Sequence, residues 1–110
     1  MITIDDFHKL DLHIGKIIRA EFITGAKYST HKLCIDFGPE IGTKTSCARL
    51  VNYSIQELTN KLIIGVVNLP PRQIGKNISE VLILGVPDNN SECILILPDQ
   101  NNVSLGVKVY

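Results

Sequence analysis

Apolar and polar residues alternate with a period of two along much of this chain, in short runs that read as strands. Leu10 to Ile14 alternates, Gly15 interrupts, and Ile17 to Ile23 resumes; the glycine suits a bulge or a close backbone approach. In the second run Ile18, Ala20 and Phe22 are expected on one face, with Arg19 and Glu21 on the other. His31 to Phe37 alternates cleanly, placing Leu33, Ile35 and Phe37 inward and Lys32, Cys34 and Asp36 opposite. Thr43 to Leu50 predicts a more polar strand. Leu62 to Val67, Val81 to Leu84 and Cys93 to Leu97 are continuous apolar runs, as expected of strands covered on both faces.

Two helices interrupt the strands. Thr3 followed by Asp6 is a capping box that opens a short helix over Ile4 to Lys9, and Ser54 with Glu57 opens another over Ile55 to Asn60. Turn chemistry falls at Gly25 to Ser29, Gly38 to Glu40, Pro87 to Asn90 and Asp99 to Asn102, the last before a final alternating segment. Asn68 to Glu80, with two prolines, a glycine and two cations, reads as a rigid polar loop between apolar strands. Three meandering strands, a short helix and two more strands is the element order of an all-β OB-fold, a five-stranded Greek-key barrel. One such domain accounts for residues 1–110.

That order assigns the ligand face. In an OB-fold it is built by strands two and three and by the loops joining strands one to two and four to five. Here these are Lys32 to Asp36, Thr43 to Arg49, Gly25 to Ser29 and Asn68 to Glu80. The candidate ligand-binding residues are Lys32, Ser46, Asn68, Arg72, Ser79, Glu80 and Leu82. Each has a structural alternative. The Asn68 amide can close the loop backbone, Ser79 and Glu80 can serve a turn, Ser46 can be a strand hydroxyl and Leu82 can be core. Arg72 offers a planar five-donor group to a phosphate, a carboxylate or a peptide carbonyl, and Glu80 suits backbone amides or cations.

Composition narrows the class of function. Eleven cations balance eleven carboxylates in the 110 residues, so the chain lacks the net positive charge from which non-specific nucleic-acid binding draws its affinity. Three Phe, three Tyr and no Trp are too few for a general single-strand binder, and only Tyr28 and Tyr53 are plausible stacking platforms. Cys34, Cys47 and Cys93 stand at wide spacings, and His8, His13 and His31 do not fall beside them at metal-ligand intervals. No metal site, cofactor or catalytic triad is expected, so a binding protein is favoured over an enzyme. The amino terminus has no signal-peptide pattern and no apolar run approaches ~20 residues, so a soluble protein without membrane insertion is expected. Three unpaired thiols fit a reducing, cytoplasmic setting.

Several segments carry a family resemblance. Asp6-Phe7 with Leu10-Asp11-Leu12-His13-Ile14-Gly15-Lys16-Ile17 resembles the opening of the tRNA-binding domain family. Lys32-Leu33 with Ile35-Asp36-Phe37-Gly38, Asn68-Leu69-Pro70-Pro71-Arg72, Ser79-Glu80-Val81-Leu82, Leu97-Pro98 and Gly106 follow in the same order, so the likeness covers nearly the whole chain. Ile35 to Gly42, Pro70-Pro71-Arg72 and Pro98-Asp99-Gln100 resemble the family's export-related chaperone branch. The resemblance implies an OB-fold homodimer, its interface built by amino- and carboxy-terminal extensions, that binds extended peptide or preprotein segments. The alternative it implies is a free-standing protein that recognises tRNA by shape. His13 stands where the family's opening motif usually has Arg, and Ser46-Cys47-Ala48 where tRNA-binding members often have Ser-Gly-Leu or Ser-Gly-Ile. The first removes a constant positive charge, the second is closer to the chaperone branch, and both argue against strong tRNA binding.

Overall fold

A computed structural model describes residues 1–110. In chain order the elements are α1 (Ile4–His8), β1 (Leu12–Phe22), β2 (His31–Asp36), α2 (Gly38–Ile41), β3 (Thr43–Ala48), α3 (Ile55–Leu58), β4 (Leu62–Val66), β5 (Arg72–Ile74), β6 (Asn77–Ser79), β7 (Leu82–Ile83), β8 (Gly85–Pro87) and β9 (Cys93–Leu95). Five strands form one antiparallel sheet in the order β3-β2-β1-β4-β7, curled into a nearly closed OB-fold barrel. The pairs β5–β6 and β8–β9 are separate hairpins. Both capping boxes are formed, Thr3 with Asp6 and Ser54 with Glu57.

The sheet can curl because β1 is long enough to be shared. Leu12 to Lys16 pairs with β4, and Lys16 to Phe22 pairs with β2. The register slips between Ile17 and Arg19, a bulge that resets the alternation. Ile17, opposite Ile35, is fully buried beside Ala20, while Ile18 turns out to solvent. The expected grouping of Ile18 with Ala20 is therefore corrected: the extra residue places Ile17 inward instead. Phe22 keeps the inward parity but lies at the strand end, 67% exposed, with its ring 4.8 Å from that of His31.

Gly15 is the close approach rather than the bulge. A Cβ there would stand 2.6 Å from Ile35 Cγ2 and 2.8 Å from Phe37 Cε1, and one on Gly65 would stand 2.8 Å from Phe37 Cζ. The fully buried Phe37 ring thus lies against two strands stripped of side chains, amid Ile17, Leu33, Ile35, Leu58 and Ile63. Such a contact leaves no room for an added methyl. The helix α3 seals the barrel with Leu58, and Asn60 then takes φ 71° to return the chain to β1, its N–H donating to Ile17 O at 2.7 Å.

Four other expectations change. Gly38 to Glu40 begins the helical turn α2, with Pro39 at its start, where the missing N–H is no loss. The loop from Asn68 to Glu80 contains the hairpin β5–β6. The apolar runs at 81–84 and 93–97 are covered on one face only, since Leu82 and Ile94 are 45% and 43% exposed. The final segment forms no full strand but lies along β1, where Ile14 N–H donates to Val107 O, Gly106 N–H to Ile14 O and Val109 N–H to Leu12 O.

His31 is a buried exception among the inward residues of β2. Its Nδ1 is 2.7 Å from Thr30 Oγ1, and Nε2 has no partner. Burial pushes its pKa below the ordinary value, so the folded state favours the neutral ring. The unfolded chain then takes up the proton more readily, and stability is lost as pH falls through the ordinary histidine range, about 6.5. The thermal midpoint should drop between about pH 7.5 and 5.5, and His31→Leu should reduce that drop. Equal drops in wild type and variant would assign the pH dependence to other groups.

Candidate ligand-binding cleft

The barrel closes where β3 meets residues 79–81, and side chains make much of the seam. Glu80 and Val81 N–H groups both donate to Thr45 O, at 2.9 and 3.2 Å. Glu80 Oε1 accepts from Thr45 N–H at 3.0 Å and lies 3.0 Å from the Thr45 hydroxyl, whose one proton it shares with Ile78 O at 2.8 Å. Ser79 Oγ accepts from Cys47 N–H at 3.0 Å, and Ser46 Oγ donates to Val81 O at 2.8 Å. Ser46 and Ser79 are buried. These hydroxyls and this carboxylate substitute for ladder bonds that a two-residue strand cannot supply.

The seam fixes one end of the β5–β6 hairpin and creates a line of clefts around Arg72. The first, about 370 Å³, is walled by Leu69, Pro70, Val81 and Leu82, with Arg72 and Glu80 at its polar edge. A second, about 230 Å³, runs from Arg72 and Leu82 past Cys47 to Tyr28, Arg49 and Cys93. A third, about 470 Å³, separates β5 from the loop at Gly25 to Ser29. Arg72 borders all three, and neither it nor Lys32 makes an ion pair. Lys32 lies on β2 directly across the ladder from Cys47. Burial pushes the Cys47 thiol pKa up, while the charges of Lys32 and Arg72 pull it the other way. Glu80 is the one carboxylate lining these clefts.

The far wall is held by Arg49. Its Nε donates to both Glu92 oxygens at 3.1 Å, tying β3 to the β8–β9 hairpin, and its guanidinium lies 5.4 Å from the centre of the Tyr28 ring. Tyr28 is 68% exposed and so presents a ring backed by a cation. Tyr53, the other aromatic platform expected from sequence, is half-buried, and its hydroxyl accepts from Leu95 N–H. At the tip of the β8–β9 hairpin, Asp88 accepts from the N–H groups of Glu92 and Asn90 and from the Asn52 amide, bonds that hold its pKa below the usual value.

Of the seven candidate residues, Arg72, Ser79, Glu80 and Leu82 line the first cleft, Ser46 borders the second and Lys32 stands beside it. Of the six at the clefts, Arg72 and Leu82 are exposed. Asn68 lies elsewhere in role: its Oδ1 accepts from Asp11 N–H at 3.0 Å and its Nδ2 donates to Lys9 O at 2.8 Å, stapling the amino-terminal segment. Lys108 works alongside it, donating to Asp11 Oδ1 and His8 O, and His13 Nδ1 lies 2.8 Å from Gly106 O. Asp36 and Glu80 line separate clefts, so these two carboxylates do not form a pair. Leu69 and the Arg49–Glu92 pair were not singled out from sequence, and no local signal links two residues 43 positions apart.

Comparison with known proteins places these features in context. The sequence pattern of a putative tRNA-binding domain matches residues 12–107. The solved CsaA chaperone protein of Picrophilus torridus superposes with a TM-score of 0.92 at 43% identity, covering 100% of both chains. The chaperone CsaA of Bacillus anthracis superposes with a TM-score of 0.85 at 37% identity, covering 100% of this chain and 99% of that one. Among curated relatives, a methionine–tRNA ligase of Sorangium cellulosum is 31% identical over 108 residues. That match takes in 98% of this chain but spans only 15% of the ligase.

The seam makes a stability prediction that separates it from the cleft. Ser79→Ala should cost about 1–3 kcal/mol in urea denaturation, because the buried Cys47 N–H loses its acceptor. A change smaller than about 0.5 kcal/mol would mean that water or a neighbour replaces the hydroxyl.

Proposed function

We propose that this chain, which belongs to the tRNA-binding domain family, acts as a chaperone-type binding protein for extended polypeptide such as preprotein segments. The observation that carries this reading is the first cleft. Its walls are the exposed Leu69 and Leu82 with Pro70 and Val81, and its edge holds the unpaired Arg72. An apolar trough beside a free guanidinium accepts an aliphatic side chain and hydrogen-bonds a main-chain carbonyl next to it. The high similarity to two chaperones over the full chain supports the same choice. The role is binding, not catalysis, and three free thiols fit a reducing cytoplasm.

A homodimer is part of the proposal. Ile2, Ile4 and Leu10 near one end of the chain, and Val103, Val107 and Tyr110 near the other, are exposed apolar residues. Asn68, His13 and Lys108 hold those two segments to the barrel within reach of one another. Apolar surface of this kind is relieved by a two-fold partner, the commonest arrangement in soluble oligomers.

A second reading, recognition of tRNA, is favoured by one specific feature. Lys27 and Arg72 line one cleft with Tyr28, Lys32 stands across the ladder from Cys47 in the next, and the only carboxylate in the clefts, Glu80, is bonded to Thr45. Such a surface tracks a phosphate backbone and offers one ring for stacking. The two readings differ in salt dependence, since each neutralised phosphate steepens it.

Fluorescence anisotropy with labelled tRNA and with labelled, reduced, carboxamidomethylated α-lactalbumin, each across a salt series, decides between them. The expected outcome is polypeptide binding that resists salt and weak tRNA binding. Arg72→Ala should weaken polypeptide binding about tenfold without moving the thermal midpoint. Tight, steeply salt-dependent tRNA binding with no polypeptide signal would sink the chaperone reading.

A further inference from the structure

The β5–β6 hairpin has a free side. On β6, Ile78 O accepts from the Thr45 hydroxyl at 2.8 Å and Glu80 N–H donates to Thr45 O, so residues 78 and 80 turn their main-chain groups toward β3. Main-chain groups alternate in direction along an antiparallel strand, so Asn77 and Ser79 face β5. Their ladder partners are Ile74 and Arg72. Gln73, between those two, must then point its N–H and C=O away from β6, and neither is paired with any group of the chain. The β5 edge borders the third cleft, whose opposite wall is the Gly25 to Ser29 loop. An unpaired donor and acceptor on an exposed edge strand is a template for another strand.

We propose that an extended polypeptide binds by adding a short strand to the outer edge of β5, pairing with the Gln73 main chain in the cleft facing residues 25–29. The inference rests on the polypeptide reading above and names its mode of recognition. Main-chain pairing supplies affinity that ignores sequence, and alternate side chains of the added strand reach the neighbouring clefts. Three features favour a polypeptide over a nucleic acid at this edge. Gln73 offers one donor and one acceptor at strand spacing, which a peptide unit matches and a phosphate, having only acceptors, does not. The cleft, about 470 Å³, is long enough to be lined by all of β5 and by five residues of the facing loop. Pro71, two residues before Gln73, has no N–H to give, so the edge accepts a short segment and not a long sheet.

Gln73→Pro is the decisive variant. It removes an N–H that the hairpin ladder does not use, and proline is tolerated on the free side of an edge strand. Gln73→Ala is the control, since it keeps the N–H and loses only the side-chain bond to Gly75 O. With carboxamidomethylated α-lactalbumin as the probe, Gln73→Pro should bind about tenfold more weakly and Gln73→Ala within twofold of wild type. In the wild-type protein the Gln73 amide should exchange with solvent rapidly when free and become protected at saturating probe, as read by amide hydrogen exchange. This second measurement decides the matter if Gln73→Pro does not fold. Undiminished binding by a folded Gln73→Pro, or an amide unprotected at saturation, would overturn strand addition while leaving the polypeptide reading standing. Protection already present in the free protein would also overturn it, by showing the edge taken by a second copy. Failure of the wild type to bind the probe would remove both.

Discussion

The barrel depends on a seam that backbone pairing alone does not close. The last strand of the sheet, β7, is two residues long, and the edge of β3 would be left open beyond it. Thr45, Ser46, Ser79 and Glu80 fill the gap with side-chain hydrogen bonds at 2.8 to 3.0 Å. Three of these bonds satisfy a main-chain group, Thr45 N–H, Val81 O or Cys47 N–H, and leaving such a group orphaned costs more than the bond itself contributes. The same bonds fix β6, and through it β5 and Arg72. The clefts are where they are because the barrel is fastened there and nowhere nearer.

Much of this architecture was legible in the sequence, and the limits have physical causes. Period-two alternation identified β2 and its core face, and the two capping boxes located both helices that begin with a serine or threonine cap. The OB-fold followed from element order. The alternation failed in β1 because a bulge shifts parity by one, and a bulge leaves no mark in a run as apolar as Ile17-Ile18. Ser46, Ser79 and Glu80 fall together beside the clefts, but a strand hydroxyl looks the same in sequence whether it faces a ligand or a neighbouring backbone. What separates the two cases is a partner more than 30 residues away. The Asn68 amide is a like case, its partners being 57 and 59 positions distant.

The cleft region carries both apolar and cationic character, and the two arise from different strands. The apolar walls come from Leu69 and Pro70 after β4 and from Val81 and Leu82 at β7. The cations come from β2, β5 and the loop before β2. A chain with no net charge can thus present a locally basic surface, because its carboxylates are spent elsewhere: Asp6 on a helix cap, Asp11 on Lys108, Glu57 on a second cap, Asp88 on a turn and Glu92 on Arg49. Polypeptide and RNA backbones both present repeating acceptors to such a surface, which is a physical reason for one fold to host chaperones and tRNA-binding domains.

The first half of β1 meets β4 along one edge and residues 106–109 along the other. Those partners lie about 50 and 90 residues further along the chain. As the polypeptide emerges from a ribosome, this apolar strand waits, unpaired on one side, until residues 106–109 have been made. Long-range pairing of this kind slows folding because loop-closure entropy must be met before any contact rewards it. Nascent chains of this fold therefore pass through a stage in which β1 is itself an exposed, aggregation-prone segment.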